Sequence, residues 1–223
     1  SGIRSFYKYL ILEEIIQADP TELLESPKLE RKLPEVLSTE EIDRLIAAID
    51  LSKPEGHRNK AILETLYSCG LRVSELVNLR LTDLHFDMGF IKVTGKGKKE
   101  RLVPIGSKAV TEINYYLQHY RNHIQVKKEA ENIIFLNRRG KKLTRVMIFT
   151  IIKNLAEKIQ MKKNISPHTF RHSFATHLID GGADLRAVQE MLGHESIITT
   201  EIYTHLDRDY LRDTIMMHHP RAE

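Results

Sequence analysis

Ser166-Pro167-His168-Thr169-Phe170-Arg171-His172 is the stretch on which the fold turns. Ser166 is a good N-cap and Pro167 suits the first helical position, so a helix is expected to begin here. Phe170, Phe174 and Leu178 form one apolar stripe, which would anchor that helix in a core. His168, Arg171 and His172 fall together on another part of its surface, directed away from the core and towards a site. A His-x-x-Arg pair alone is most often a surface cap or ion pair, so its weight depends on the rest of the chain.

Four further words accompany it. Gly70-Leu71-Arg72-Val73-Ser74-Glu75-Leu76 follows an apolar run from about Arg58 to Cys69, with Gly70 as the expected helix stop. Arg72 then lies at a helix-turn junction with Glu75 and Leu76 opening a short helix; in the plain structural alternative Arg72 pairs with Glu75. Thr94-Gly95-Lys96-Gly97-Lys98 reads as the turn of a hairpin between strands at Phe90–Val93 and Arg101–Ile105. Leu192-Gly193-His194 and Thr199-Thr200-Glu201-Ile202-Tyr203-Thr204-His205 complete the set. Guanidinium forks bind phosphate bidentately and keep their charge. A phenol with a pKa near 10 needs a base or nearby cations before it can act as a nucleophile. Two arginines, a lysine, two histidines and a tyrosine are therefore what a metal-free attack on a phosphodiester requires.

In this order the five words resemble the tyrosine recombinases (the phage-integrase family), the Xer group and its XerD-type members most closely. The ending His218-His219-Pro220-Arg221-Ala222 is similar to theirs. The resemblance implies a tyrosine recombinase catalytic domain in which Arg72 and Arg171 clamp the scissile phosphate. By the same resemblance Tyr203 is the nucleophile and Lys96 the general acid, with Lys98 and Lys99 as rivals for that role. His168 would accept the tyrosine proton and His194 would donate to a phosphate oxygen. The implied activity is site-specific recombination through a 3′-phosphotyrosyl intermediate, in chromosome dimer resolution at cell division, with no cofactor. The implied partners are a double-stranded DNA recombination site and a homo- or hetero-tetramer of protomers joined through segment 207–217. A division-linked DNA translocase and a cytoplasmic, nucleoid-associated location follow from the same likeness. An integrase or transposase of a mobile element would share the chemistry, and a non-catalytic DNA-binding module is the rival of another class.

Composition bounds these readings. A chain of 223 residues, 41% hydrophobic and 29% charged, holds one substantial core and is not a disordered tail. No apolar run approaches the roughly 18 residues needed to cross a bilayer. A lone cysteine, Cys69, excludes an internal disulfide framework and reads as a small buried residue near a helix end. A net charge of +4 is too modest to prove nucleic-acid binding, but its distribution is uneven. Lys98, Lys99 and Arg101, with Arg138, Arg139, Lys141, Lys142 and Arg145, form two basic clusters suited to a phosphate backbone. His168, His172 and His177 do not make a metal site, because only the first two share a helical face and no acidic residue completes a set.

The expected organisation is mostly α with a small antiparallel β-sheet. Residues 1–19 read as the last helix of an otherwise absent N-terminal domain, 20–34 as a linker punctuated by Pro20, Pro27 and Pro34, and 35–223 as the catalytic domain. Ser38 with Glu41 is a capping-box pattern opening that domain. Further helices are predicted over 107–125, 145–160, 185–192 and 210–217, with a short strand at Ile133-Ile134-Phe135.

Overall fold

Glu14 takes a left-handed backbone (φ 57°) and the first helix, α1 (Gly2–Leu12), has already ended, short of the predicted residue 19. The Ile15 amide turns back to donate to the Leu10 carbonyl at 2.9 Å, which closes the helix. The structure, a computed structural model, describes residues 2–21, 35–95, 97, 99–193 and 205–222, with side chains of the last stretch described from Asp209. Most of the predicted linker therefore lies outside the described residues. By its internal contacts the chain divides into two units, 1–33 and 34–223, and the second carries the core.

The larger unit opens with the expected cap. Ser38 Oγ accepts from the Glu41 amide at 3.2 Å and the Ser38 amide donates to Glu41 Oε2 at 2.8 Å, starting α2 (Thr39–Ala47). The next helix, α3 (Pro54–Cys69), starts four residues before the predicted Arg58, because Pro54 fits the first helical position after an extended Lys53. Gly70 ends it in the left-handed region at φ 56°, as its sequence position indicates. Every residue from Ala61 to Cys69 is buried, so α3 runs through the core rather than along it. Burial pushes the Cys69 thiol up to about 12, the behaviour of an inert small hydrophobe.

After α4 (Val73–Asn78) comes a three-stranded antiparallel sheet, ordered β1 (Leu84–His85), β2 (Phe90–Thr94), β3 (Glu100–Pro104). Ile91 faces Leu84 on one side and Val103 on the other, which fixes the register. α5 (Ser107–His119) stops short of residue 125, and a single 3₁₀ turn, Arg121–His123, follows. Ile133-Ile134-Phe135 is not a strand: the pairing there is limited to isolated bridges, Arg80 with Ile133 and Leu136 with Lys142. The segment is held instead by buried Arg58, whose Nη1 donates to the Leu136 carbonyl at 2.9 Å, and by Phe135 stacking on Tyr116.

Three more helices follow, α6 (Arg145–Lys158), α7 (Pro167–Asp180) and α8 (Leu185–Leu192), of which α7 packs on α3. On α7, Phe170, Phe174 and Leu178 are fully buried, as their spacing predicts, and each contributes about 1.5–3 kcal/mol of burial free energy. The last helix, α9 (His205–His218), starts five residues before the predicted Tyr210. Its Leu211 and Ile215 are buried on α7, α8 and β3 of the same chain. Of segment 207–217, expected to join protomers, Leu211 and Ile215 thus pack on their own chain here. Beyond it Arg221 pairs with Asp43 and lies 3.2 Å from Glu64, an ion pair whose geometry falls short of a hydrogen bond.

Candidate active site

Because Gly70 breaks α3, Leu71 can turn inward while Arg72 leaves the core in extended conformation. Its backbone amide donates to Glu75 Oε2 at 2.8 Å and its Nη1 donates to Glu75 Oε1 at 2.9 Å. Its Nη2 reaches the Gly193 carbonyl at 3.3 Å. Arg171 arrives from the first turns of α7. Its Nη1 donates to the Gly70 carbonyl at 2.7 Å, and its Nη2 donates to the Leu192 carbonyl. Two arginines far apart in sequence therefore stand on consecutive carbonyls at the C-terminal end of α8. That end carries the negative pole of the helix, which favours cations.

Burial, then the neighbouring Arg72 charge, pushes Arg171 down to about 10, with Glu75 opposing. It stays protonated at neutral pH. Among the described residues its two bonds use two of five guanidinium N–H donors, so the fork retains capacity for an anion. Arg72 is likewise part-exposed, at 36% of its side chain. His168, three residues before Arg171 on α7, is exposed, as is His172. His177 belongs elsewhere: its Nδ1 is hydrogen-bonded to Tyr67 Oη at 2.7 Å.

Lys96, Lys98, His194 and Tyr203 lie outside the described residues. Their described neighbours Gly95 and Gly193 both lie beside one group, the guanidinium of Arg101. A side chain built on Gly95 would sit 3.6 Å from Arg101 Nη1 and 3.7 Å from Glu75 Oε1. One on Gly193, which is left-handed at φ 64°, would sit 3.2 Å from Arg101 Nε.

Arg101 itself corrects an expectation. Counted with the basic cluster as a DNA contact, it is buried, and Nε, Nη1 and Nη2 are all engaged within the protein. The physical reason is strand alternation: Arg101 and Val103 share the inward face of β3, while Glu100 is exposed. That period-two signal was available in the sequence and was outweighed there by the run of positive charge. Lys99, Arg138, Arg139, Lys141, Lys142 and Arg145 are exposed; Lys142 Nζ donates to Asn78 Oδ1 at 2.8 Å. Among the described residues no helix is long and apolar enough to cross a membrane.

The fold is that of a tyrosine recombinase catalytic domain. The family model described as "Phage integrase family" matches residues 35–209, and the chain belongs to that family. Among curated relatives it is 46% identical over 222 residues to "Tyrosine recombinase XerD" of Staphylococcus haemolyticus (strain JCSC1435), covering all of this chain and 75% of that one. To the protein of that name from Oceanobacillus iheyensis it is 48% identical over 222 residues, covering 74% of that protein. Among solved structures, the XerA recombinase matches at TM-score 0.66 and 31% identity, over 98% of this chain and 75% of that chain. The XerH recombinase, solved bound to its difH substrate before cleavage, matches at TM-score 0.64 and 28% identity, over 74% of this chain and 48% of that one.

Proposed function

We infer that this chain is a tyrosine site-specific recombinase that cuts and rejoins duplex DNA in the resolution of chromosome dimers. The observation that carries the reading is the convergence of Arg72 and Arg171 on the Leu192 and Gly193 carbonyls. Two fixed cations meeting at one partly exposed place suit the negative charge that grows on a phosphate during in-line attack. Tyr203 Oη attacks the phosphorus, the bond from phosphorus to the 5′-oxygen breaks, and a 3′-phosphotyrosyl link forms. The tyrosine proton passes to His168, Lys96 protonates the departing 5′-oxygen, and His194 donates to a non-bridging oxygen. A 5′-hydroxyl from a second duplex reverses the step, so the energy of the broken bond is kept in the covalent link. Lys98, Lys99, Arg138, Arg139, Lys141, Lys142 and Arg145 supply backbone contacts to the duplex.

The working assembly is a four-protomer synapse, of one or two kinds of protomer, on a recombination site. Segment 207–217 passes to a neighbour in it, which requires release of Leu211 and Ile215 from their own chain. A division-linked DNA translocase is the class of partner that would time the reaction, in the cytoplasm at the nucleoid. The identity to proteins named XerD favours the chromosomal role over a mobile-element one. Recombination by the full-length protein on matched plasmids tests this. A preference of about tenfold or more (about 1.4 kcal/mol) for the host's dimer-resolution site over mobile-element ends is expected. The reverse preference overturns the chromosomal role and leaves an element integrase.

A further inference from the structure

We propose that Arg101 is a positioning residue for strand cleavage, which shares the Glu75 carboxylate with Arg72 and so limits how far that anion offsets the Arg72 charge at the phosphate. The inference deepens, and rests on, the recombinase reading above. The side chains of Arg101 and Glu75 are 9% and 2% exposed. Arg101 Nη1 donates to Glu75 Oε1 at 2.8 Å and Nη2 donates to Oε2 at 2.9 Å, the parallel fork of a strong carboxylate pair. Its Nε donates to the Met191 carbonyl at 2.9 Å, tying the pair to the end of α8.

The same carboxylate also holds Arg72, through its amide and its Nη1. One buried negative charge therefore serves two guanidiniums. Burial pushes the Glu75 carboxyl up, but the bonds and charge of Arg101, joined by the bonds from Arg72, outweigh it and hold the group below its ordinary range. Glu75 is thus an anion, and the question is which cation it cancels. With Arg101 present the fork takes up most of that charge, so Arg72, which shares one Glu75 oxygen, is compensated only in part beside a bound phosphate. Without Arg101 the whole charge of the carboxylate would fall to Arg72, which it already bonds, and the clamp would lose much of its field.

Geometry adds a second link. Arg101 packs against Gly193 and beside Gly95, the residues next to His194 and Lys96. One guanidinium thus bonds Glu75, three residues from Arg72, and lies beside the glycines that precede Lys96 and His194. A lysine has three donors on one nitrogen but no planar fork, so it cannot bond both carboxylate oxygens in parallel and reach the Met191 carbonyl as well.

Single-turnover cleavage of a nicked duplex decides the matter, run once with a normal scissile phosphate and once with a methylphosphonate there. The methylphosphonate has no charge at the reacting centre and so depends less on the clamp. Arg101→Lys is expected to slow cleavage of the phosphate on the order of 10²-fold while DNA affinity changes less than about threefold. Its deficit should shrink about tenfold on the methylphosphonate. Arg101→Met should be worse, and adding Glu75→Gln should restore part of the rate by removing the stranded anion. Wild-type rates in Arg101→Lys, an equal deficit on both substrates, or losses that track DNA affinity overturn the proposal. If wild type itself forms no adduct on the phosphate duplex, the recombinase reading falls with it.

Discussion

Arg171→Ala lowers single-turnover strand cleavage roughly 10³-fold or more, a loss of about 4 kcal/mol of transition-state stabilisation. The size follows from the placement of the guanidinium. It is half-buried and oriented by the Gly70 and Leu192 carbonyls, so its charge acts where water screens it little. Binding suffers far less, because one phosphate contact among many is lost and the salt dependence of affinity falls by about one unit of slope. Gel-shift titration beside cleavage separates the two. Equal losses in both would mean that Arg171 only positions DNA and has no special role in the transition state.

Gly70→Ala destabilises the domain by about 2–5 kcal/mol and removes more activity than unfolding alone explains. The left-handed backbone at φ 56° costs a side-chain-bearing residue about 1–2 kcal/mol. The new Cβ would lie 2.4 Å from Cδ1 of the fully buried Phe174, and relieving such a clash costs about 1–3 kcal/mol more. For a domain of this size the midpoint of thermal unfolding falls by roughly 4–20 °C. The Gly70 carbonyl also orients Arg171, so any shift of Phe174 or of the turn moves the clamp. A thermal melt within a degree or two of wild type would show that the turn relaxes freely, contrary to the packing described.

Local chemistry made part of this architecture legible. Ser38 with Glu41, Pro167 and Gly70 each act on backbone groups within a few residues, so their effects did not depend on the rest of the fold. The Phe170, Phe174 and Leu178 stripe was equally readable, since helical spacing and burial agree there. Where tertiary partners decide, the sequence was silent or misleading. β1 is only two residues long and shows no period. Ile133-Ile134-Phe135 is as apolar as a strand but is held by Arg58 and Tyr116, distant residues that no local pattern announces. Segment 207–217 carries an apolar stripe without revealing whether its groove is on its own chain or another's.

The site divides in the same way. Arg72, His168 and Arg171 were picked out by motif, and the structure places both arginines on one pair of carbonyls with His168 on the same helix as Arg171. Lys96, His194 and Tyr203 rest on the motif and on their neighbours Gly95 and Gly193. Arg101 sits in a run of positive charge that masks the alternation of its strand, which turns it inward. It is buried beside Glu75 and engaged within the protein rather than open to DNA.

The central claim is that Tyr203 forms a covalent bond to DNA. Its most direct measurement is trapping on a nicked suicide duplex bearing a dimer-resolution site, with the full-length protein and its Tyr203→Phe variant side by side. The account predicts a denaturation-resistant protein–DNA adduct in wild type and none in Tyr203→Phe, with DNA binding retained in both. An adduct that persists in Tyr203→Phe, or none in a wild-type protein that binds the duplex, would contradict it.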